Sequence, residues 1–118
     1  MNKYWFLGAT ILALVALVAY FALTDNHIPA NEPAWVRDLI AEQINGPVAN
    51  PPALLSKCTY KDQIVYYLPP RCCDVPSELF DSQGQRICSP DGGYTGSGDG
   101  KCPDFSTEGC DIIWKDSR

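Results

Sequence analysis

Six cysteines in a chain of 118 residues constrain this protein more than any other feature. A reducing cytosol rarely keeps so many thiols in so short a chain unless they hold metal or perform redox chemistry. The cysteines stand at positions 58, 72, 73, 88, 102 and 110, and no two have the C-x-x-C spacing. Neither a zinc site that takes two ligands from one turn nor the usual dithiol redox arrangement is therefore present. Disulfides remain, and with them an oxidising compartment. The length allows one domain at most, with a core too small to dispense with such staples. Cys72 and Cys73 are neighbours that bridge each other only in a strained ring, so each is expected to reach a more distant cysteine, in an order the spacing leaves open.

Tyr4 to Leu23 carries no charged residue, and as a helix it would rise roughly 30 Å, the thickness of a bilayer's hydrocarbon core. Tyr4, Trp5 and Phe6 at one end and Tyr20 and Phe21 at the other suit the two headgroup interfaces. A transmembrane helix is expected, with Lys3 keeping the N-terminus in the cytoplasm and the chain from Asp25 onward outside, at the inner or plasma membrane. The alternative is a secreted protein released by signal cleavage, for which Ala22-Leu23-Thr24 is a poor site. Gly8, Ala9, Ala13 and Ala16 form a small-residue stripe on which a second membrane helix could pack.

Asp25 to Pro33 lacks hydrophobic periodicity and reads as a stalk, with His27, the single histidine, as a solvated linker residue. Pro33 suits a helix start, and Trp35, Val36, Leu39, Ile40 and Ile44 then recur at helical spacing opposite Arg37, Asp38 and Glu42. Asn45-Gly46-Pro47 ends this amphipathic helix with a candidate left-handed cap. Leu55 to Tyr60 and Ile64 to Leu68 form an expected hairpin, Glu78 to Phe80 and Arg86 to Cys88 a second one closed at Gly84, and Cys110 to Trp114 a last strand.

Nine Lys and Arg against fourteen Asp and Glu exclude a phosphate-tracking surface, so nucleic acid is not an expected partner. The glycine-rich run Asp91 to Phe105 lacks the glycine and the Ser or Thr of a P-loop. Its Asp91, Asp99 and Asp104 could offer oxygens to calcium, though not at EF-hand spacing; the competing reading is a tight loop whose glycines take positive φ and whose aspartates cap turns. Beyond these weak calcium candidates no cofactor is implied. Past residue 33 there is no histidine for a Ser-His-Asp or Cys-His centre, which leaves only Asp74, Asp91, Asp99 and Asp104 for carboxylate chemistry, and an enzyme is not expected.

Val65-Tyr66-Tyr67, Cys72-Cys73-Asp74, Leu79-Phe80-Asp81, Gly84, Ile87-Cys88, Gly92-Gly93, Thr95-Gly96, Gly98-Asp99-Gly100-Lys101-Cys102 and Asp104-Phe105 are co-linear motifs covering Ile64 to Phe105. Together they resemble an uncharacterised family of small exported bacterial domains, many of them lipoproteins, known only as a domain of unknown function. The resemblance implies a compartment and a scaffold and carries over no catalytic residue. It also implies that Cys58 pairs with Cys110 as an addition to the family pattern, while Cys72 and Cys73 pair with Cys88 and Cys102 in either order.

The expected fold is a small disulfide-rich α+β one: a transmembrane anchor over 1–24, a stalk over 25–33 and an extracytoplasmic cysteine-rich domain over 34–118. That domain would hold one amphipathic helix, short antiparallel hairpins and a glycine-rich loop. The expected function is a membrane-anchored, non-enzymatic binding module with a protein partner, with Tyr60, Tyr66, Tyr67, Tyr94 and Phe105 as candidate contact aromatics. An accessory single-pass subunit docking through Ala9, Ala13 and Ala16 and a calcium-binding exported domain are the alternatives.

Overall fold

A two-residue turn builds the centre of the sheet. Lys61 and Asp62 both take positive φ, 49° and 61°, the geometry of the tight hairpin turns whose twist matches that of the flanking strands. In the computed structural model of the chain, which describes residues 3–23 and 27–118 and the side-chain surroundings of 8–20 and 27–118, this turn joins β1 (Leu54–Tyr60) to β2 (Gln63–Leu68). A second hairpin pairs β3 (Glu78–Asp81) with β4 (Arg86–Cys88), and β5 (Asp111–Lys115) returns to pair with β1. The result is one antiparallel sheet in the order β4-β3-β2-β1-β5.

Two helices precede the sheet: α1 (Lys3–Leu23) and α2 (Ala34–Asn45). Pro33 caps α2 from outside, and the chain leaves it at Gly46 with φ −83° and ψ 176°. That exit is extended, so the left-handed cap expected at Gly46 is not formed. Val36 and Ile40 of α2 are fully buried against Leu55, Tyr66, Leu68 and Trp114, with Trp35, Leu39 and Ile44 partly buried beside them.

The opposite face of the sheet is covered as well. Cys58, Val65, Tyr67, Leu79, Cys88 and Cys102 form a second buried cluster, with Tyr60, Phe105 and Cys110 packed on it. In β2, Tyr66 therefore points to the helix and Tyr67 to the cysteine cluster, and alternation buries both.

The expected transmembrane helix is corrected by the structure. Among the described residues no helix is long and apolar enough to cross a membrane. The described side chains of α1 run from Gly8 to Tyr20. The fold is thus two helices with a five-stranded antiparallel sheet and three disulfides. Ala9, Ala13 and Ala16 are exposed on α1. Lys3, Tyr4, Trp5, Phe6, Phe21, the Ala22-Leu23-Thr24 cleavage site and Asp25 lie outside the residues whose side chains are described.

The pairing of the paired cysteines is corrected too. Cys58 joins Cys110, but Cys88 joins Cys102, and Cys72 joins its own neighbour Cys73. The cause is distance along the fold. Cys88 ends β4 and Cys102 packs beside it under the loop, while Cys72 and Cys73 sit in the exposed turn between the Arg71 and Val75 bridge.

Candidate functional site: the braced glycine-rich loop

Residues 91 to 101 leave β4 and fold back over the cysteine cluster before the chain reaches Cys102. Their backbone is closed on itself. Gly92 N–H donates to the Gly96 carbonyl at 3.1 Å, Gly96 N–H to Gly93 at 3.2 Å and Gly98 N–H to Gly92 at 3.1 Å. Gly98 has φ 66°, and a Cβ there would lie 1.9 Å from the Ser89 carbonyl oxygen, so only glycine fits this crossing.

Each aspartate of the loop fastens a different part of it. Tyr67 O–H donates to both carboxylate oxygens of Asp91 at 2.9 Å. Burial and the adjacent Asp91 carboxylate together raise the Tyr67 phenol well above its ordinary range, so it stays a donor. Ser77 closes the other side, with N–H and O–H both donating to the Asp91 carbonyl and its Oγ accepting from Asp91 N–H. Asp99 accepts from the N–H groups of Ser89 and Lys101, both at 3.0 Å. The Lys101 N–H, opposed by some desolvation and aided by Ser89, holds the Asp99 carboxyl below its usual range. Asp104 accepts from Tyr60 O–H at 2.7 Å, and Phe105 stacks edge-on to the Tyr60 ring and tilted against Tyr67.

The three calcium candidates are thus dispersed. Among the described residues no group of three or more His, Cys, Asp or Glu side chains could hold a metal ion. Asp99 accepts from the N–H two residues on, a local turn cap, whereas the carboxylates of Asp91 and Asp104 accept from the hydroxyls of Tyr67 and Tyr60, 24 and 44 residues away in the chain.

Of the candidate contact aromatics, Tyr66 and Tyr67 are 2% and 5% exposed and belong to the core. Tyr60 and Phe105 are half-buried in the second cluster. Neither tyrosine of β2 is a free contact residue, because α2 covers one face of that strand and the cysteine cluster with its loop covers the other. Tyr94 alone of the five stands out, 92% exposed in the turn between Gly93 and Gly96. His27 is exposed beside β5.

Sequence reasoning missed Glu32. It lies in the expected stalk, yet it is buried on the sheet, accepting from Tyr66 O–H at 2.7 Å and from Lys57 Nζ at 3.0 and 3.1 Å. No local pattern marks it, because its partners are 25 and 34 residues away.

A family model described as a domain of unknown function, DUF6970, matches residues 41–116. No curated protein and no solved structure matches the chain.

Proposed function

The chain belongs to the DUF6970 family of domains of unknown function, and from that premise we propose that it is an extracytoplasmic, non-enzymatic binding module that presents its glycine-rich loop to a protein partner. One observation carries the reading: Tyr94 is 92% exposed on a loop whose backbone is fixed from both sides. The ring of an exposed tyrosine is apolar area that docking would remove from water, and aromatic anchors dominate the energetics of protein interfaces. A braced loop loses little conformational entropy when it docks, which favours affinity. Three disulfides support an oxidising compartment, since they persist where no thiol pool reduces them. The carboxylates of Asp91, Asp99 and Asp104 are each engaged by hydrogen bonds that hold the loop, which supports a binding role for it over carboxylate catalysis.

The test is affinity capture of the tagged full-length chain from its source cells, with Tyr94→Ala and Ile112→Ser beside it. Ile112 is 63% exposed on β5 and serves as the control surface. A stoichiometric partner lost with Tyr94→Ala and kept with Ile112→Ser supports the module. Partners unaffected by Tyr94→Ala, or none at all, overturn it.

A further inference from the structure

We infer that the chain carries a second, small-molecule-sized site, a proline-walled cleft that binds a carboxylate attached to a compact apolar group. The cleft opens at the far end of the β1 strand from the Lys61-Asp62 turn. Pro51 and Pro52 before β1 and Pro69 and Pro70 after β2 line it, together with Arg71 and Lys115. Its volume is about 180 Å³. An apolar cavity of about 150 Å³ accepts a benzene ring, so the space suits one ring or one branched aliphatic group.

Charge selects the other half of the ligand. The chain has five more acidic than basic residues, yet among the described residues neither Arg71 nor Lys115 forms an ion pair. Two cations left unneutralised at one apolar slot, in an acidic protein, complement an anion whose hydrocarbon part fills the slot.

Arg71 is also held in position. One guanidinium nitrogen donates to Gln43 Oε1 at 3.1 Å, and its backbone pairs with Val75. The next residue, Cys72, donates its N–H to the Asn50 carbonyl at 2.6 Å. Gln43 sits in the last turn of α2, where Arg118 Nη2 donates to its carbonyl at 2.9 Å. The remaining N–H groups of Arg71 form a fork suited to a carboxylate. Two sources offer this chemistry: a free organic acid, and the C-terminus of a peptide ending in an apolar residue.

The test is a titration of the oxidised full-length chain, followed by side-chain and backbone N–H resonances. The probes are benzoate, neutral benzamide, and the peptide acetyl-Gly-Pro-Phe as its free acid and as its amide. Saturable shifts at Arg71 Nε–H and at the Ala53, Leu54 and Lys115 amides are expected with benzoate or the peptide acid, and not with benzamide or the peptide amide. Arg71→Gln should weaken binding about tenfold, and Lys115→Gln by less. Tighter binding of the peptide acid than of benzoate assigns the site to chain termini, and the reverse assigns it to free acids. Absence of saturable shifts with both acids, equal binding of acids and amides, or unchanged affinity in a folded Arg71→Gln variant overturns the inference. If Arg71→Gln does not fold, the acid-against-amide contrast together with Lys115→Gln decides it.

Discussion

Glu32 ties the segment before α2 to the sheet, and it does so as a buried carboxylate. Burial opposes its ionisation, but the hydrogen bonds from Tyr66 and Lys57 outweigh that and hold its pKa below the usual 4.5. A carboxylate with a depressed folded pKa stabilises the fold above its unfolded pKa, and that stability is lost as pH falls through the folded value. Asp99, Asp104 and Asp116 are shifted in the same direction, the last chiefly by hydrogen bonds from Arg118. Stability should therefore be flat near neutrality and fall as pH drops below the ordinary carboxylate range. Urea unfolding should show Glu32→Gln destabilised by about 1–2 kcal/mol at neutral pH, with a weaker dependence on acid than the parent chain. Equal acid sensitivity in both would show that Glu32 does not contribute. Nothing in the sequence near Glu32 announces this role. Asp99 differs, because an aspartate whose carboxylate accepts from the N–H two residues on is a local geometry, while the bonds of Asp91 to Tyr67 and of Asp104 to Tyr60 span 24 and 44 residues and were as hidden as that of Glu32.

At the scale of elements, α2 and the β3–β4 hairpin are joined by one side chain. Trp35 Nε1 donates to the Ser82 carbonyl at 3.1 Å, and its ring packs edge-on to Tyr66 with centroids 5.0 Å apart. The ring also lies on Gly84, where a Cβ would approach Trp35 Cδ2 to 2.8 Å. Gly84 thus serves twice: its φ of 84° turns the hairpin, and its missing side chain makes room for the indole. Trp35→Ala should cost about 3 kcal/mol by chemical denaturation, because it removes an aromatic that bridges two elements and leaves a cavity between them. A loss below about 1 kcal/mol would mean that α2 docks through Val36 and Ile40 alone. Helical spacing of Trp35, Val36, Leu39, Ile40 and Ile44 made the buried face of α2 readable. The strand pairs were readable too, the first from two β-rich runs either side of the short polar break Lys61-Asp62-Gln63 and the second from its turn at Gly84.

For the whole molecule, the disulfides contribute unequally, and the reason is chain entropy. Cys58–Cys110 closes a span of 52 residues and Cys88–Cys102 one of 14. A bridge between adjacent cysteines closes almost no loop. Loop-closure entropy then assigns about 4 kcal/mol to the first and about 3 kcal/mol to the second. Thermal or urea unfolding of Cys58→Ser/Cys110→Ser should show a loss of that order, and Cys72→Ser/Cys73→Ser a loss of less than about 1 kcal/mol. Equal losses in the two double variants would contradict this assignment.

The sequence alone determined what is local or compositional: disulfide dependence from six cysteines, an amphipathic helix from its period, hairpins from their turn residues, and membership in an uncharacterised family from co-linear motifs. Tertiary structure decided whatever depends on residues far apart in the chain. It buried Tyr66 and Tyr67 on opposite faces of one strand, because α2 and the loop each needed an apolar surface to cover. It joined Cys72 to Cys73, because the turn that holds them lies apart from the cluster of Cys88 and Cys102. It drew Glu32 onto the sheet and left Tyr94 in solvent, since burial is a property of packed layers and no window of sequence contains both layers at once.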